Sequence, residues 1–370
     1  MSVSPSLLQI KAIVDSARWA PTGDNAQPFT FEWDGKELLV REDFDRSRAF
    51  LNVGNVASQL ALGMCLFNMD IGAKSHGWIA RWKSVEEGAV AARVVFEPGP
   101  IDRSPFEKAV KLRTVDRRPY RPDPLSKEYG LELQRSVQNP WGIRLTLLNA
   151  PQQIEDMARL HGGFDSMMFA HRGIHDYFYQ WMRFTDREAE RTGDGMPLST
   201  LGLGPADALG VRLLASWGIA QIVSRLGFTR LAVHRAIQVY RQSAAFGVIT
   251  VSNRDPLSFV RAGWIWQQVW LTLTLDGWSL QPVMGVALMG LRCLHFQGEG
   301  LTDSQKKRFA QEEKKIREWV SAKEGESIPC AFRMGRPLGD VPHRAFRRPV
   351  EAILKSREPN THLFGGEIQL

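Results

Sequence analysis

The chain has 370 residues, 44% of them hydrophobic and 24% charged, which is typical of a globular protein with one large or two ordinary domains. Its formal net charge of +7 favours an anionic ligand such as a phosphate, whereas no helix-turn-helix, zinc-finger or ribonucleoprotein signature supports nucleic acid. Three cysteines without metal-like spacing, no signal segment and no long uncharged apolar run predict a reduced, cytoplasmic protein with no membrane span.

The first predicted helix ends in a small, polar corner. Ser4 and Pro5 begin this helix, whose apolar residues recur on one face, and Pro21 ends it because proline is disfavoured inside a helix. Residues 20–29, with the sequence APTGDNAQPF, then lead into an extended run over 29–33. A helix-to-strand corner of this kind suits a flat polar ligand, and an ordinary tight loop is the alternative interpretation.

The rest of the first hundred residues predicts strands around one buried helix. Strands over 29–33 and 37–41 flank an Asp-Gly turn, which favours a hairpin. A helix over 52–71 is apolar on nearly every side, which is typical of a helix buried at a domain centre or an interface. A strand over 91–96 ends at the sequence PGP, where we place the boundary between two halves of the chain.

A basic segment opens the second half. A helix that begins near Ser104 ends at residues 113–120, with the sequence RTVDRRPY, for which a solvated charged face is the alternative to a ligand site. Residues 152–242 are predicted to be mainly helical. Within them, His171 and His175 lie one helical turn apart, a spacing that can bind zinc. No third ligand follows at a recognisable spacing, so no metal is predicted.

Residues 209–226 within this helical region are apolar with scattered arginines. They could lie on a membrane surface, which keeps a peripheral membrane or scaffold protein as an alternative of another functional class. We favour a mobile cover over a ligand cavity, because insertions between core elements often act as lids.

The second half contains another buried helix and ends in a basic cluster. A strand over 246–252 precedes a helix that starts at 255–256 and is apolar nearly all round. This helix ends at 276–278, and the sequence SLQPVMG that follows is by itself a turn into a strand. A charged amphipathic helix over 302–321 and the sequence HRAFRRP over 343–349 come next.

Four of these segments resemble the FMN-dependent nitroreductase family. APTGDNAQPF is similar to the family segment A-P-[ST]-x-x-N-x-Q-P-W, and RTVDRRPY with Pro124 and Leu125 is similar to its arginine-rich opening. GWSLQPVMG is similar to the loop G-x-x-x-x-P-[IV]-x-G, and the last basic cluster to the final phosphate-binding residues. The resemblance implies NAD(P)H or another electron donor, a small-molecule substrate and FMN as cofactor, bound by Thr22, Asn25, Gln27, Arg113, Arg117, Arg118, Pro282, Val283, Met284, Gly285 and Arg347.

The resemblance also implies separate roles for these residues. Arg113 and Arg347 would face the FMN phosphate, and Arg117 would face the ring near N1 and O2. Backbone amides of residues 282–285 would face N5 and O4. Val115 stands where the family usually has serine, so one phosphate hydrogen bond is missing. No catalytic side chain is assigned.

Each half carries the segments that the other lacks. In a nitroreductase homodimer the two sets meet across the interface, so the chain resembles a single-chain, duplicated branch that includes dormancy-associated flavin-binding proteins. The predicted fold is α+β: two nitroreductase-like halves over 1–100 and 101–355, mainly antiparallel sheets, long buried central helices, a lid-like helical insertion at about 152–242 and a tail over 356–370. Such a pseudo-dimer could function as a monomer with one composite site. A flavin-storage protein without turnover is the alternative to an oxidoreductase.

Overall fold

The computed structural model describes residues 4–341 and 343–356 of the chain. Its helices are α1 (Leu7–Ala17), α2 (Phe44–Ser47), α3 (Val56–Lys74), α4 (Phe106–Leu112), α5 (Lys127–Ser136), α6 (Pro151–Phe164), α7 (Met167–Ala170), α8 (Arg172–Trp181), α9 (Asp186–Thr192), α10 (Pro205–Leu213), α11 (Trp217–Arg225), α12 (Phe228–Arg241), α13 (Pro256–Leu275), α14 (Gly285–His295), α15 (Asp303–Trp319) and α16 (Val350–Ile353). Its strands are β1 (Phe29–Trp33), β2 (Glu37–Glu42), β3 (Trp78–Glu87), β4 (Val90–Pro98), β5 (Arg144–Leu148), β6 (Met182–Arg183), β7 (Met196–Pro197), β8 (Ala245–Val251), β9 (Ser279–Pro282), β10 (Ser327–Gly335) and β11 (Leu354–Ser356).

Two mainly antiparallel sheets organise these elements. The first has the order β11-β1-β2-β4-β3, and the second has the order β5-β8-β10-β9. Within them β11 is parallel to β1, and the other pairs are antiparallel. The short strands β6 and β7 form a separate parallel pair. The predicted α+β class with mainly antiparallel sheets is confirmed.

The last described strand joins the sheet of the first half. β11 pairs with β1, where Leu354 lies opposite Phe31 and Ser356 opposite Trp33. The chain therefore crosses back to its starting sheet after β10, and this return brings its last basic cluster beside the corner that follows α1. Of the predicted tail, residues 357–370 lie outside the described part of the chain.

The long helices α3 and α13 pack against each other at two glycines. A Cβ atom at Gly63 would lie 1.8 Å from the carbonyl oxygen of Val260, and one at Gly263 would lie 2.0 Å from the carbonyl oxygen of Leu60. Real Cβ atoms do not approach so closely, so glycine at both positions allows the two backbones to touch. The predicted pair of buried central helices is therefore joined in one core.

Helix α3 and the residues just before it are apolar enough to resemble a membrane span. The helical stretch Val53–Lys74 is long and apolar enough to cross a membrane by length and composition, but 94% of its most apolar window is buried inside the protein. It lies between α1 and α13. Full burial of this kind accounts for its lack of a polar face, because a core helix contacts apolar neighbours on every side.

Seven helices, α6 to α12, fill the predicted insertion between β5 and β8. The first and last of them, α6 and α12, pack together over the second sheet, where Met157 and Tyr240 share a core with Phe246. In contrast, α10 has no buried residue. The insertion is therefore anchored at its two ends and more exposed in its middle.

Candidate functional site

A cavity of about 990 Å³ is lined by residues from the first hundred positions, from the later sheet region and from the helices between β5 and β8. Cavities of roughly 300–1,000 Å³ are typical sites for cofactors and other small molecules. The corner before β1, the central helices, the basic segment after α4, the loop before α14 and the insertion all contribute to its wall. It brings together nine of the eleven predicted cofactor-binding residues: Thr22, Asn25, Arg113, Arg117, Pro282, Val283, Met284, Gly285 and Arg347.

The corner before β1 has an unusual backbone. Asp24, Asn25 and Gln27 have φ angles of 45°, 55° and 49°, a left-handed region that asparagine and aspartate tolerate better than most residues. The Asn25 side chain is 7% exposed, and its Nδ2 donates to the carbonyl oxygens of Gly195 at 2.8 Å and Phe346 at 3.0 Å. Its Oδ1 has no partner among the described residues. One polar atom of Asn25 is thus available to a ligand.

Gln27 has a different position from the one predicted. Its Nε2 donates to the carbonyl oxygen of Gly193 at 2.8 Å, and its Oε1 accepts from the backbone N–H of Arg348 at 2.9 Å. It is not among the described residues that line the cavity. Because both ends of the amide already have partners, Gln27 acts as a tether that ties the corner to the insertion and to the last basic segment.

Three arginines form a cluster of like charge at the cavity wall. Arg344 donates to the carbonyl oxygen of Arg113 at 3.2 Å, and the guanidinium groups of Arg344 and Arg347 lie 5.1 and 5.4 Å from the ring centre of Trp19. Within the described part of the chain, none of the three forms an ion pair with a carboxylate. We refer to Arg113, Arg344 and Arg347 as the arginine cluster.

Burial and mutual repulsion both oppose the charges of the arginine cluster. Burial, with smaller effects from Arg347 and Arg344, lowers the pKa of Arg113 well below its usual value. Burial, followed by Arg344 and Arg18, lowers the pKa of Arg347 to about 9. The Nε atoms of Arg113 and Arg347 are buried without a partner among the described residues. Arg113 is buried, whereas Arg347 is half-buried and Arg344 is exposed. Cations without a carboxylate partner in such surroundings are costly, and a bound polyanion would remove that cost.

The neighbouring residues Arg117 and Arg118 point to different places. Arg117 lines the cavity and donates to the carbonyl oxygen of Thr200 at 3.2 Å, so it connects the basic segment to the insertion. Arg118 instead makes two hydrogen bonds to the buried carboxylate of Asp116, at 2.9 and 3.0 Å. Arg118 is not among the described residues that line the cavity, so its predicted contact with a cofactor has no geometric support.

The loop before α14 supplies backbone donors to the cavity. The N–H of Val283 donates to the carbonyl oxygen of Ala331 at 2.9 Å and is therefore used within the sheet region. In the described chain, no acceptor is hydrogen-bonded to the N–H groups of Met284 and Gly285, where α14 begins. A Cβ at Gly285 would lie 2.1 Å from the ring of Phe164, so this ring would have to move to admit a side chain there. First-turn amides of a helix are left free by its geometry and suit an anionic or carbonyl acceptor.

The insertion adds buried polar groups at another part of the wall. Burial lowers the pKa of His161 to about 3, and its Nε2 has no partner among the described residues. Tyr240 donates to the Asp165 carboxyl group at 3.2 Å, and burial raises the pKa of Asp165 to about 7. These groups are therefore a neutral imidazole and a carboxyl group that holds its proton up to near neutral pH.

We expect Asp165→Asn to make stability less dependent on pH. The pKa of Asp165 rises from 3.8 to about 7 on folding, so the folded protein binds a proton that the unfolded chain releases. Stability therefore falls as the pH rises between these two values. The amide cannot ionise, so the variant should gain roughly 1–3 kcal/mol at about pH 8 and change little at about pH 4, measured by urea unfolding.

The exposed carboxylate of Asp176 on α8 offers the matched control. Asp176→Asn removes a carboxylate whose side chain is 53% exposed, so it reports the effect of losing a surface charge. If Asp165→Asn and Asp176→Asn give the same profile, the Asp165 carboxyl group is ionised in the folded protein and the interpretation fails.

Comparison with known proteins identifies a relative. No protein-family model matches the chain. The chain is 19% identical over 284 residues, 73% of its length and 78% of the relative, to PigM, a probable NAD(P)H nitroreductase from Serratia sp. (strain ATCC 39006). The chain is thus similar in sequence to a nitroreductase. The resemblance predicted from its four sequence segments is confirmed.

Solved nitroreductase structures are similar to about two thirds of the chain. An FMN-dependent nitroreductase from Clostridium difficile R20291 is 13% identical and covers 67% of this chain and 96% of its own, with a TM-score of 0.37. A nitroreductase with bound FMN from Desulfitobacterium hafniense DCB-2 is 11% identical and covers 66% of this chain and 94% of its own, with a TM-score of 0.37. The FMN-dependent nitroreductase NfnB from Mycobacterium smegmatis, solved in complex with NADPH, is 15% identical. It covers 63% of this chain and 87% of its own, with a TM-score of 0.33.

The sequence motifs did not include several of the residues that line the cavity. Arg344 lies in the basic cluster that was recognised, three positions before Arg347, and a second arginine there was an available signal. His161, Asp165 and Tyr240 belong to no such motif. His161 lies on α6, Asp165 directly follows α6 and Tyr240 lies on α12, and only the packing of these two helices brings them to one wall.

Proposed function

We propose that this nitroreductase relative is an FMN-dependent oxidoreductase with one composite cofactor site per chain. The observation that carries the proposal is the arginine cluster, three cations without a carboxylate partner among the described residues, on the wall of a cavity of about 990 Å³. A phosphate group would neutralise these cations and accept their hydrogen bonds. FMN combines such a phosphate with a flat ring system that matches the polar corner and the loop amides.

The residues of the cavity fit FMN in chemistry as well as in charge. Arg113, Arg344 and Arg347 would hold the phosphate. The free Oδ1 of Asn25 would accept from a ring N–H, and the amides of Met284 and Gly285 would donate to ring acceptors. When bound, FMN supplies the hydride and electron chemistry, so the protein need not supply a nucleophile.

Other cavity residues have defined tasks in the proposal. Arg117 would place a cation near the part of the ring that gains negative charge on reduction, and such a fixed charge would raise the tendency of the flavin to accept electrons. The insertion helices would exclude water from the ring, and His161 and Asp165 would present polar groups to a small organic substrate. NAD(P)H or another donor provides the electrons. Because both sets of residues come from one chain, we propose that a monomer suffices.

We expect the purified protein to bind FMN and to accept electrons through it. The absorbance spectrum of the purified protein, with and without added FMN, tests retention. Anaerobic addition of NADH or NADPH should then bleach the flavin band, and a small electron-poor acceptor should restore it. Failure to retain FMN would overturn the cofactor assignment, whereas retention without bleaching by any physiological donor would exclude the oxidoreductase.

A flavin-binding or storage protein is the second candidate. The observation that favours it is the number of insertion helices on the cavity wall, since α6, α8, α10 and α12 all contribute residues. Such a cover could shield a bound flavin from donors. This candidate predicts tight FMN binding, slow bleaching by small chemical reductants and no turnover, and rapid turnover with a small acceptor would exclude it.

A further inference from the structure

The middle of the insertion exposes an apolar face. Seven of the seventeen exposed large hydrophobic residues among the described ones fall within residues 203–231. Two of the seven, Leu203 and Leu231, also line the cavity. We refer to the five that do not line it as the apolar cover face: Leu209, Leu213, Ile219, Ile222 and Leu226.

The spacing of these residues forms one continuous stripe on each helix. Leu209 and Leu213 lie four positions apart on α10. Ile219 and Ile222 on α11, and Leu226 at its C-terminal cap, follow the same helical repeat. The two helices are bent by 115° at their junction, so they do not form one straight span. Short bent helices with apolar residues on one face are suited to lie in a membrane interface rather than to cross it.

The charges around the apolar cover face are almost all positive. Residues 203–235 contain the exposed arginines Arg212, Arg225, Arg230 and Arg235, with one acid, Asp207, which forms an ion pair with Arg235. Arg225 and Arg230 have no ion pair in the part of the chain that the structure describes. Apolar residues that enter the acyl region and arginines that contact phosphate headgroups together match an anionic bilayer.

The cavity opens beside this face. Leu203 and Leu231 line the cavity and are also exposed, at 39% and 48%. The rim residues and the apolar cover face would otherwise both be exposed to water, and monomeric proteins generally avoid large exposed apolar areas. A bilayer would cover both at once.

We propose that the apolar cover face docks the protein peripherally on membranes that contain anionic lipids, with the cavity opening toward the bilayer. The docking depends on α10, α11 and the neighbouring arginines, and it does not require a bound cofactor. Substances dissolved in the membrane would then have direct access to the cavity.

Flotation of the full chain with vesicles tests this proposal. We expect binding to phosphatidylcholine vesicles that contain phosphatidylglycerol, weaker binding to phosphatidylcholine alone, and a loss of binding at high salt, because exposed charges are screened. Ile222→Ser with Leu226→Ser should reduce the partition coefficient by roughly tenfold or more, since serine gives up the apolar area that enters the bilayer. Arg225→Glu with Arg230→Glu should remove the preference for the anionic lipid.

A matched control uses exposed apolar residues far from this face in the chain. Ile101 and Leu338 are 69% and 60% exposed, and their replacement by serine should leave vesicle binding unchanged. Protein that fails to float with either kind of vesicle, or equal flotation of the parent and Ile222→Ser/Leu226→Ser proteins, would overturn the proposal. So would self-association of the parent protein that this double variant abolishes, because a second copy would then cover the face. FMN retention of the same variants should match the parent protein, which separates this test from that of the cofactor site.

Discussion

Replacing Gly263 with alanine is expected to destabilise the protein by roughly 3 kcal/mol, because the new methyl group would meet the backbone of α3 rather than a movable side chain. Its Cβ would lie 2.0 Å from the carbonyl oxygen and 2.7 Å from the carbonyl carbon of Leu60. The two helices must therefore separate, and the buried residues between them lose their packing. Gly63→Ala should have a similar cost, since its Cβ would lie 1.8 Å from the carbonyl oxygen of Val260. Urea unfolding of each variant measures the change.

Gly130 provides the matched control for this prediction. It is also a buried glycine inside a helix, α5, but a Cβ there would meet only leucine side chains, at 3.5 Å or more. Alanine is favoured over glycine within helices by about 0.5–1 kcal/mol, so Gly130→Ala should be neutral or slightly stabilising. Equal midpoints for Gly130→Ala and Gly263→Ala would mean that α3 and α13 do not touch at these glycines.

The reciprocal contact also bears on the origin of the chain. Gly63 of α3 packs on α13, and Gly263 of α13 packs on α3, so the two contacts are related by an offset of 200 positions, from 63 to 263. The same offset of 200 positions relates Gly77 to Gly277. Each of these glycines follows one of the two helices, has a positive φ angle (77° and 71°) and is followed by tryptophan. We propose that the halves are a fused duplication whose central helices retain the packing of a symmetric dimer.

The two central helices could be predicted from the sequence because their apolar pattern lies within one continuous segment of the chain. Both predicted helices, over 52–71 and from 255–256, are apolar on nearly all sides. A helix of this kind is stable in a globular protein only when it is buried in the core. β10 gave no comparable signal, although all nine of its residues are buried. Arg333 in this strand is fully buried, although an arginine in a sequence usually indicates an exposed position. It donates to the Gln281 side chain at 2.6 Å and to the Arg118 carbonyl oxygen at 2.8 Å, and both partners are distant in the chain.

The candidate site was predicted through its motifs, and the differences arise from side-chain direction. A motif fixes which residues are close along the backbone, so the corner, the basic segment and the loop all reach one cavity. It does not fix where each side chain points. Arg117 and Arg118 are adjacent, yet Asp116 holds Arg118 away from the cavity. Gln27 is likewise taken up by partners more than 160 positions away, which no local pattern reports.

The second large effect is expected at the arginine cluster. Arg113→Ala and Arg347→Ala should each weaken FMN binding by about 1.5–3 kcal/mol, which is roughly ten- to a hundredfold in Kd, because each loses a charge-assisted contact to the phosphate. Titration of the apoprotein with FMN, followed by flavin fluorescence, measures the change. The stability of the apoprotein should fall less than the FMN affinity, since each substitution also removes a cation whose charge is opposed by burial and by its neighbours.

Arg118→Ala is the control that separates this assignment from a general effect of lost arginines. Arg118 belongs to the same sequence motif but pairs with the buried Asp116, so its loss leaves an unpaired buried carboxylate. We therefore expect Arg118→Ala to lower the free energy of unfolding while the folded protein keeps its FMN affinity. Arg118→Ala should therefore lose stability and keep its FMN affinity, whereas Arg113→Ala and Arg347→Ala should mainly lose FMN affinity. Weakened FMN binding in Arg118→Ala together with unchanged binding in Arg113→Ala and Arg347→Ala would place the phosphate elsewhere, because the unpaired charges of the cluster would then have no ligand to neutralise them.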